Sequence, residues 1–153
     1  MYQKILVPLD GSELAECVLP HVTSIARGCS VQNVIFLRVV EPLYVHGSFG
    51  GLSDEELKHI NSESEANAKS YLSLMASRTK YDGATVQSEV LTGRAAEVIT
   101  EYATKNSIDL IIIATHGRSG VSRWVWGSVA DRILRSACVP VLMIRAPGCV
   151  PGI

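Results

Sequence analysis

The chain has no apolar stretch that approaches the span of a bilayer, no run of lysines and arginines, and no cysteine–histidine cluster. Each absence removes a class of function. Without about twenty consecutive apolar residues, no membrane-spanning helix is expected. Without a basic stripe, and with a net charge of −1, nucleic acid is not the expected partner. Cys17, Cys29, Cys138 and Cys149 show no CxxC spacing, and His21, His46, His59 and His116 are scattered, so zinc is not expected either. Buried free thiols in a reducing cytosol fit these cysteines better than disulfides. The apolar run before Asp10 is too short for a signal peptide, which makes the expected compartment the cytoplasm. The Walker-A pattern GxxxxGK[ST] and a GxGxxG after the first apolar run are both missing. No acidic cluster marks a phosphoacceptor, and no nucleophilic triad stands out. Ser12 and Ser128 suit caps or phosphate contacts better than nucleophiles.

What is present is a 153-residue chain, 47% hydrophobic and 19% charged, long enough to bury one substantial core. There is no internal repeat and no linker, so residues 1–147 are expected to form a single domain, with 148–153 as a loose tail.

The stretch around which the rest is organised is Asp109–Ser128, DLIIIATHGRSGVSRWVWGS. The β-branched run Leu110–Ile113 reads as a strand buried on both faces. A long glycine-punctuated loop follows, and then a helix whose Val129, Ile133, Leu134 and Ala137 fall at helical spacing. A helix start carries unpaired N–H groups and partial positive charge. Gly117, Gly120 and Gly127 allow close backbone approach, while Thr115 and Ser128 add hydroxyls and His116, Arg118 and Arg123 add positive charge. That composition suits a phosphate cradle. An ordinary surface loop with a capped helix fits the same residues locally.

The remaining elements alternate. Lys4–Leu9 is a strand ending near Pro8, and Asp10-Gly11-Ser12 turns into an amphipathic helix running to about Arg27, with Gly28 as its stop. Pro20 predicts an irregularity inside it. His21 falls on the apolar face and is expected in the core, whereas His59 is expected in solvent. Val34–Val40 is a second strand. The glycine-rich loop Glu41–Leu52 precedes a long helix opened by a capping box at Ser53 and Glu56. Ala84–Leu91 alternates as an outer strand would, Ala95–Lys105 is a third helix, and Val139–Ile144 is a last strand. Strands alternating with helices predict an α/β fold: a five-stranded parallel, doubly wound, Rossmann-like sheet of order 3-2-1-4-5 with four helices. Ligands bind such sheets at the carboxyl ends of the strands where the winding reverses. There the cradle candidate faces Asp10, which suits a ribose hydroxyl, a cation or a helix cap, and Val39-Val40, which suits an adenine ring. Three segments converging on one crevice favour a nucleotide.

These residues resemble the universal stress protein family, in its small single-domain form. The likeness runs from KILVPLDGS at 4–12 through FLRVVEP at 36–42 to DLIIIATHGRSG at 109–120 and GSVADRILRSACVPVLMIR at 127–145. The family's nucleotide motif, G-x2-G-x9-G-[S/T], has here Ala114 for its first glycine, then Gly117, Gly127 and Ser128. A methyl group at Ala114 is expected to be tolerated where φ stays negative. The resemblance implies the adenine-nucleotide α-hydrolase-like fold, with Pro8, Asp10 and Val39 lining the adenosine end. It implies phosphate contacts from Ala114, Gly117, Gly127, Ser128 and Val129, with His116 and Arg118 close by, and Mg²⁺ or Mn²⁺ accompanying ATP. It also implies a homodimer through residues 139–144, an apolar edge that would otherwise invite aggregation. The leading expectation is a nucleotide-dependent stress-response switch with at most slow ATP hydrolysis. The alternative is a homodimeric interaction or chaperone-like module whose pocket is vestigial or takes AMP. Trp126 is expected to pack under the fourth helix, while for Trp124 such packing, a partner surface and a lid over the nucleotide all stay open.

Overall fold

The computed structural model describes residues 1–44, 53–115 and 128–146. Its sheet has five parallel strands in the order β3-β2-β1-β4-β5. These are β1 (Lys4–Pro8), β2 (Asn33–Val40), β3 (Thr85–Thr92), β4 (Leu110–Thr115) and β5 (Val141–Arg145). The helices are α1 (Leu19–Cys29), α2 (Asp54–Arg78), α3 (Ala95–Lys105) and α4 (Ser128–Ser136). The expected order, strand count and helix count all hold.

Neighbouring residues of the central strands point into two different cores, which is why these strands are apolar without interruption. Ile5, Val7, Phe36, Leu110 and Ile112 pack with Val22 of α1 and Leu72 of α2. Leu6, Leu37, Ile111 and Ile113 pack with Ile99 of α3 and Ile133 of α4 on the other face. The amino ends of β1 and β4 are stitched by Asp109, whose Oδ2 accepts from the Gln3 and Lys4 amides, each at 2.8 Å. Those two bonds hold its carboxyl below the ordinary aspartate range. β3 is the outer strand foreseen from its alternation, and its outward residues are exposed.

Several boundaries shift for physical reasons. Pro20 sits in the first turn of α1, where its missing N–H costs nothing, and the segment before it, Ala15–Val18, is a 3-10 helix. Gly28 does not stop α1; Ser30 does, in the left-handed conformation at φ 54°, with its amide donating to the Ala26 carbonyl. His21 is exposed rather than in the core, because the helix rotates Val22 and Ala26 inward. On α4, Leu134 is likewise turned to solvent, at 47% exposure, leaving Ala130 and Ile133 to face the sheet. The last strand starts at Val141 rather than Val139, although the Pro140 carbonyl already accepts from the Ile111 amide at 2.9 Å. The thiols are less buried than expected: Cys17 and Cys29 are half-buried and Cys138 is exposed. The capping box is present, with Ser53 Oγ accepting from the Glu56 amide and Glu56 Oε2 from the Ser53 amide. The expected loose tail and both tryptophans lie outside the described residues.

Candidate functional site

At the carboxyl edge of the sheet, where β1 and β4 lie side by side and the winding reverses, a cavity of about 470 Å³ opens. That volume is within the usual range for small-molecule sites. Six of the residues singled out from sequence line it together: Pro8, Asp10, Val39, Ala114, Ser128 and Val129. They come from the end of β1 and its turn, the end of β2, the end of β4 and the first turn of α4. The other four, His116, Gly117, Arg118 and Gly127, lie outside the described residues.

The walls are apolar for a reason legible in the packing. Leu37, Ile99 and Ile113 belong to the core beneath α3 and α4, and the cavity is where that core reaches the strand ends. These three were not foreseen as site residues, since at sequence level they are indistinguishable from other core positions. Ala114 is 7% exposed and does not have positive φ, the condition under which alanine was expected to replace glycine.

Polar groups stand at the cavity's ends. Ser128 and Val129 open α4, whose first-turn amides carry partial positive charge. At the other end, Asp10 Oδ1 accepts from both the amide and the hydroxyl of Ser12, at 2.9 and 2.6 Å. Ser12 Oγ in turn accepts at 3.2 Å from the amide of Ala15, the first residue of the 3-10 helix, while Asp10 closes an Asx turn just ahead of it. Gly11 between them has φ +87°, a conformation that favours glycine. Of the joint capping that sequence offered for Asp10 and Ser12, it is Ser12 that reaches a helix amide, while Asp10 holds Ser12 and takes a place in the cavity wall.

A second, smaller cleft of about 310 Å³ lies on the other side of Asp10, lined by Arg38, Val39, Val40, Glu41, Ser64 and Asn67 besides Asp10 itself. Sequence reasoning missed it. Arg38 interrupts the apolar run VIFLRVV, and strand alternation sends it away from Leu37 and Val39 toward α2. Its guanidinium carbon sits 5.4 Å from the centre of the Tyr71 ring. Tyr71 Oη donates to Glu16 Oε1 at 3.0 Å. Burial foremost, then that bond and the charges of Glu16 and Asp10, push the Tyr71 phenol well above its ordinary range, with Arg38 opposing. Glu41 caps a distant helix: its carboxylate accepts from the Ala95 amide at 3.1 Å, where the N-cap residue Arg94 makes no side-chain cap of its own.

A family model described as the universal stress protein family matches residues 1–145. The universal stress protein MJ0531 of Methanocaldococcus jannaschii is 33% identical over 151 residues, covering 96% of this chain and 84% of that protein. Among solved structures, the protein MJ0577 of the same organism superimposes with a TM-score of 0.77 at 25% identity, covering 97% of this chain and 99% of that one. A universal stress protein in complex with cAMP gives 0.70 at 22% identity, over 95% of this chain and 98% of that one. One from Archaeoglobus fulgidus in complex with dAMP gives 0.59 at 23% identity, over 94% and 98%.

Proposed function

The chain belongs to the universal stress protein family, and on that footing we propose that it binds an adenine nucleotide, ATP with Mg²⁺ or Mn²⁺ foremost, as a cytoplasmic stress-response switch. The observation that carries this reading is the cavity in which six of the residues singled out from sequence, drawn from four segments, meet. Its apolar walls at Leu37, Val39 and Ile99 suit a purine, and Asp10 at one end suits a ribose hydroxyl. Ser128 and the start of α4 suit a phosphate. Gly117 and Gly127, with His116 and Arg118 beside them, complete the cradle in this reading. Neighbours of the same fold that were solved with cAMP and dAMP support it.

A divalent cation would serve to neutralise the triphosphate, with the Ser128 hydroxyl as the oxygen donor at that end among the described lining residues. Hydrolysis is slow at most. Asp10 is the only carboxylate among those lining residues, and its Oδ1 is already engaged by two bonds from Ser12.

A second reading, a homodimeric interaction module, is favoured by β5. It pairs only with β4 in the described sheet and keeps four half-buried apolar residues along an outer edge. We propose pairing of this strand with its copy by two-fold symmetry.

Titration of ATP–Mg²⁺, and separately AMP, into protein stripped of carried-over nucleotide tests the first reading. Micromolar binding, about −8 kcal/mol, is expected. No detectable heat with either ligand overturns it and leaves the interaction module, for which light scattering of the eluted protein would have to show a dimer.

A further inference from the structure

Arg38 lines only the smaller cleft, yet it is built into the turn that forms a wall of the larger one. A Cβ placed on Gly11 would stand 2.7 Å from Arg38 Nη1, 3.0 Å from its Cζ and 3.1 Å from its Nη2. Three atoms of one planar group at nearly equal distance mean that the guanidinium lies across the bare Cα of Gly11. The same guanidinium packs on the Tyr71 ring, and Tyr71 is tied through its hydroxyl to Glu16. Segment 11–16 is therefore held at both ends by one Arg–Tyr pair: at Gly11 by the arginine, at Glu16 by the tyrosine. Between those ends lie Ser12 and the bonds it makes to Asp10.

We propose that Arg38 is a positioning residue for the nucleotide site, bracing the Gly11 turn so that Asp10 faces the ligand's ribose. The proposal rests on the nucleotide reading given above. Arg38 does not touch the ligand in this arrangement, because alternation along β2 points Leu37 and Val39, not Arg38, at the larger cavity. Its planarity matters as well as its charge. A lysine ammonium has the charge but cannot cover the Gly11 Cα and a tyrosine ring with one flat group.

The test measures dissociation constants of AMP and of 2′,3′-dideoxy-AMP for the wild type, Arg38→Met, Arg38→Lys, Gly11→Ala and the double variant Gly11→Ala/Arg38→Met. A carboxylate accepting from a ribose hydroxyl should give the wild type a preference of about ten-fold for AMP. Arg38→Met is expected to reduce that preference to under about three-fold, with Arg38→Lys restoring little of it. Gly11→Ala pushes the guanidinium out, so the double variant should lose no more preference than Gly11→Ala alone. In ligand-free protein, exchange of the Ser12 amide should quicken several-fold in Arg38→Met while amides of β1 stay protected.

A wild-type preference retained in Arg38→Met overturns the proposal, as does additive loss in the double variant. A wild type that binds both nucleotides equally also overturns it, by removing Asp10 from the ribose. If the wild type binds neither, the nucleotide reading fails first. Unchanged exchange at Ser12 refutes the brace on its own, whatever the binding results.

Discussion

Both the amide and the hydroxyl of Ser12 donate to one oxygen of Asp10, an Asx turn that ties the carboxylate to the residue whose hydroxyl holds the Ala15 amide. This couples the site to the stability of the first helical turn. Asp10→Ala should cost about 1 kcal/mol of stability through the lost bonds from Ser12, whereas Asp10→Asn, which keeps an acceptor oxygen, should cost less. Asp10→Ala should also weaken ATP and AMP about equally, by roughly ten-fold, if the side chain reads the ribose. Calorimetry that finds a loss confined to ATP–Mg²⁺ would assign Asp10 to the metal instead.

Ala114 offers a test of the cavity from its floor. The residue is nearly buried and lines the wall, so Ala114→Val adds two methyl groups where the ligand is expected. Nucleotide affinity should fall by at least about ten-fold, while overpacking costs stability no more than about 1–3 kcal/mol. Affinity equal to wild type would place the ligand elsewhere.

Gly117→Val and Gly127→Val address the phosphate end. Either substitution should abolish nucleotide binding with little change in melting temperature. Full ATP affinity in both variants would sink the phosphate assignment.

At the opposite edge of the sheet, Asp109 makes stability depend on pH. Its carboxyl is held below the ordinary aspartate range in the folded state by the Lys4 and Gln3 amides. The unfolded chain therefore binds the proton more readily, and the contribution is complete above the unfolded aspartate pKa of about 4. It is lost as pH falls through the lower folded value. Asp109→Ala should cost about 1 kcal/mol near pH 6, discounted for partial solvent exposure. The gap between variant and wild type in urea unfolding should close progressively below about pH 4. A gap that stays constant to pH 2.5 would show that the charge is immaterial.

How far the residues could be read in advance depended on how local their determinants are. The uninterrupted run Leu110–Ile113 announced a strand covered on both faces, and the structure divides it between two cores residue by residue. The Ser53–Glu56 capping box is complete within four residues, and both of its bonds are made as expected. Glu41 was different: its carboxylate caps a helix 54 residues away, and only the β2–β3 pairing brings them together. His21 and Leu134 fit apolar stripes on a helical wheel yet lie in solvent, because the sheet's shape sets how far each stripe turns inward.

The sequence by itself determined the alternation of strands and helices, the handedness that follows from it, and the meeting of Pro8, Asp10, Val39, Ala114, Ser128 and Val129 at one edge. The alternation and the meeting of the turns after the first and fourth strands follow from periodicity, turn chemistry and the crossover rule, all of which act along the chain, while Val129 came from the family resemblance. Only the tertiary structure decided which core residues were left to wall a cavity. It alone brought Arg38 across Gly11 and onto Tyr71, because residues from β1, β2 and α2 share no local signal. They meet only when the sheet aligns β2 beside β1 and lays α2 over that face.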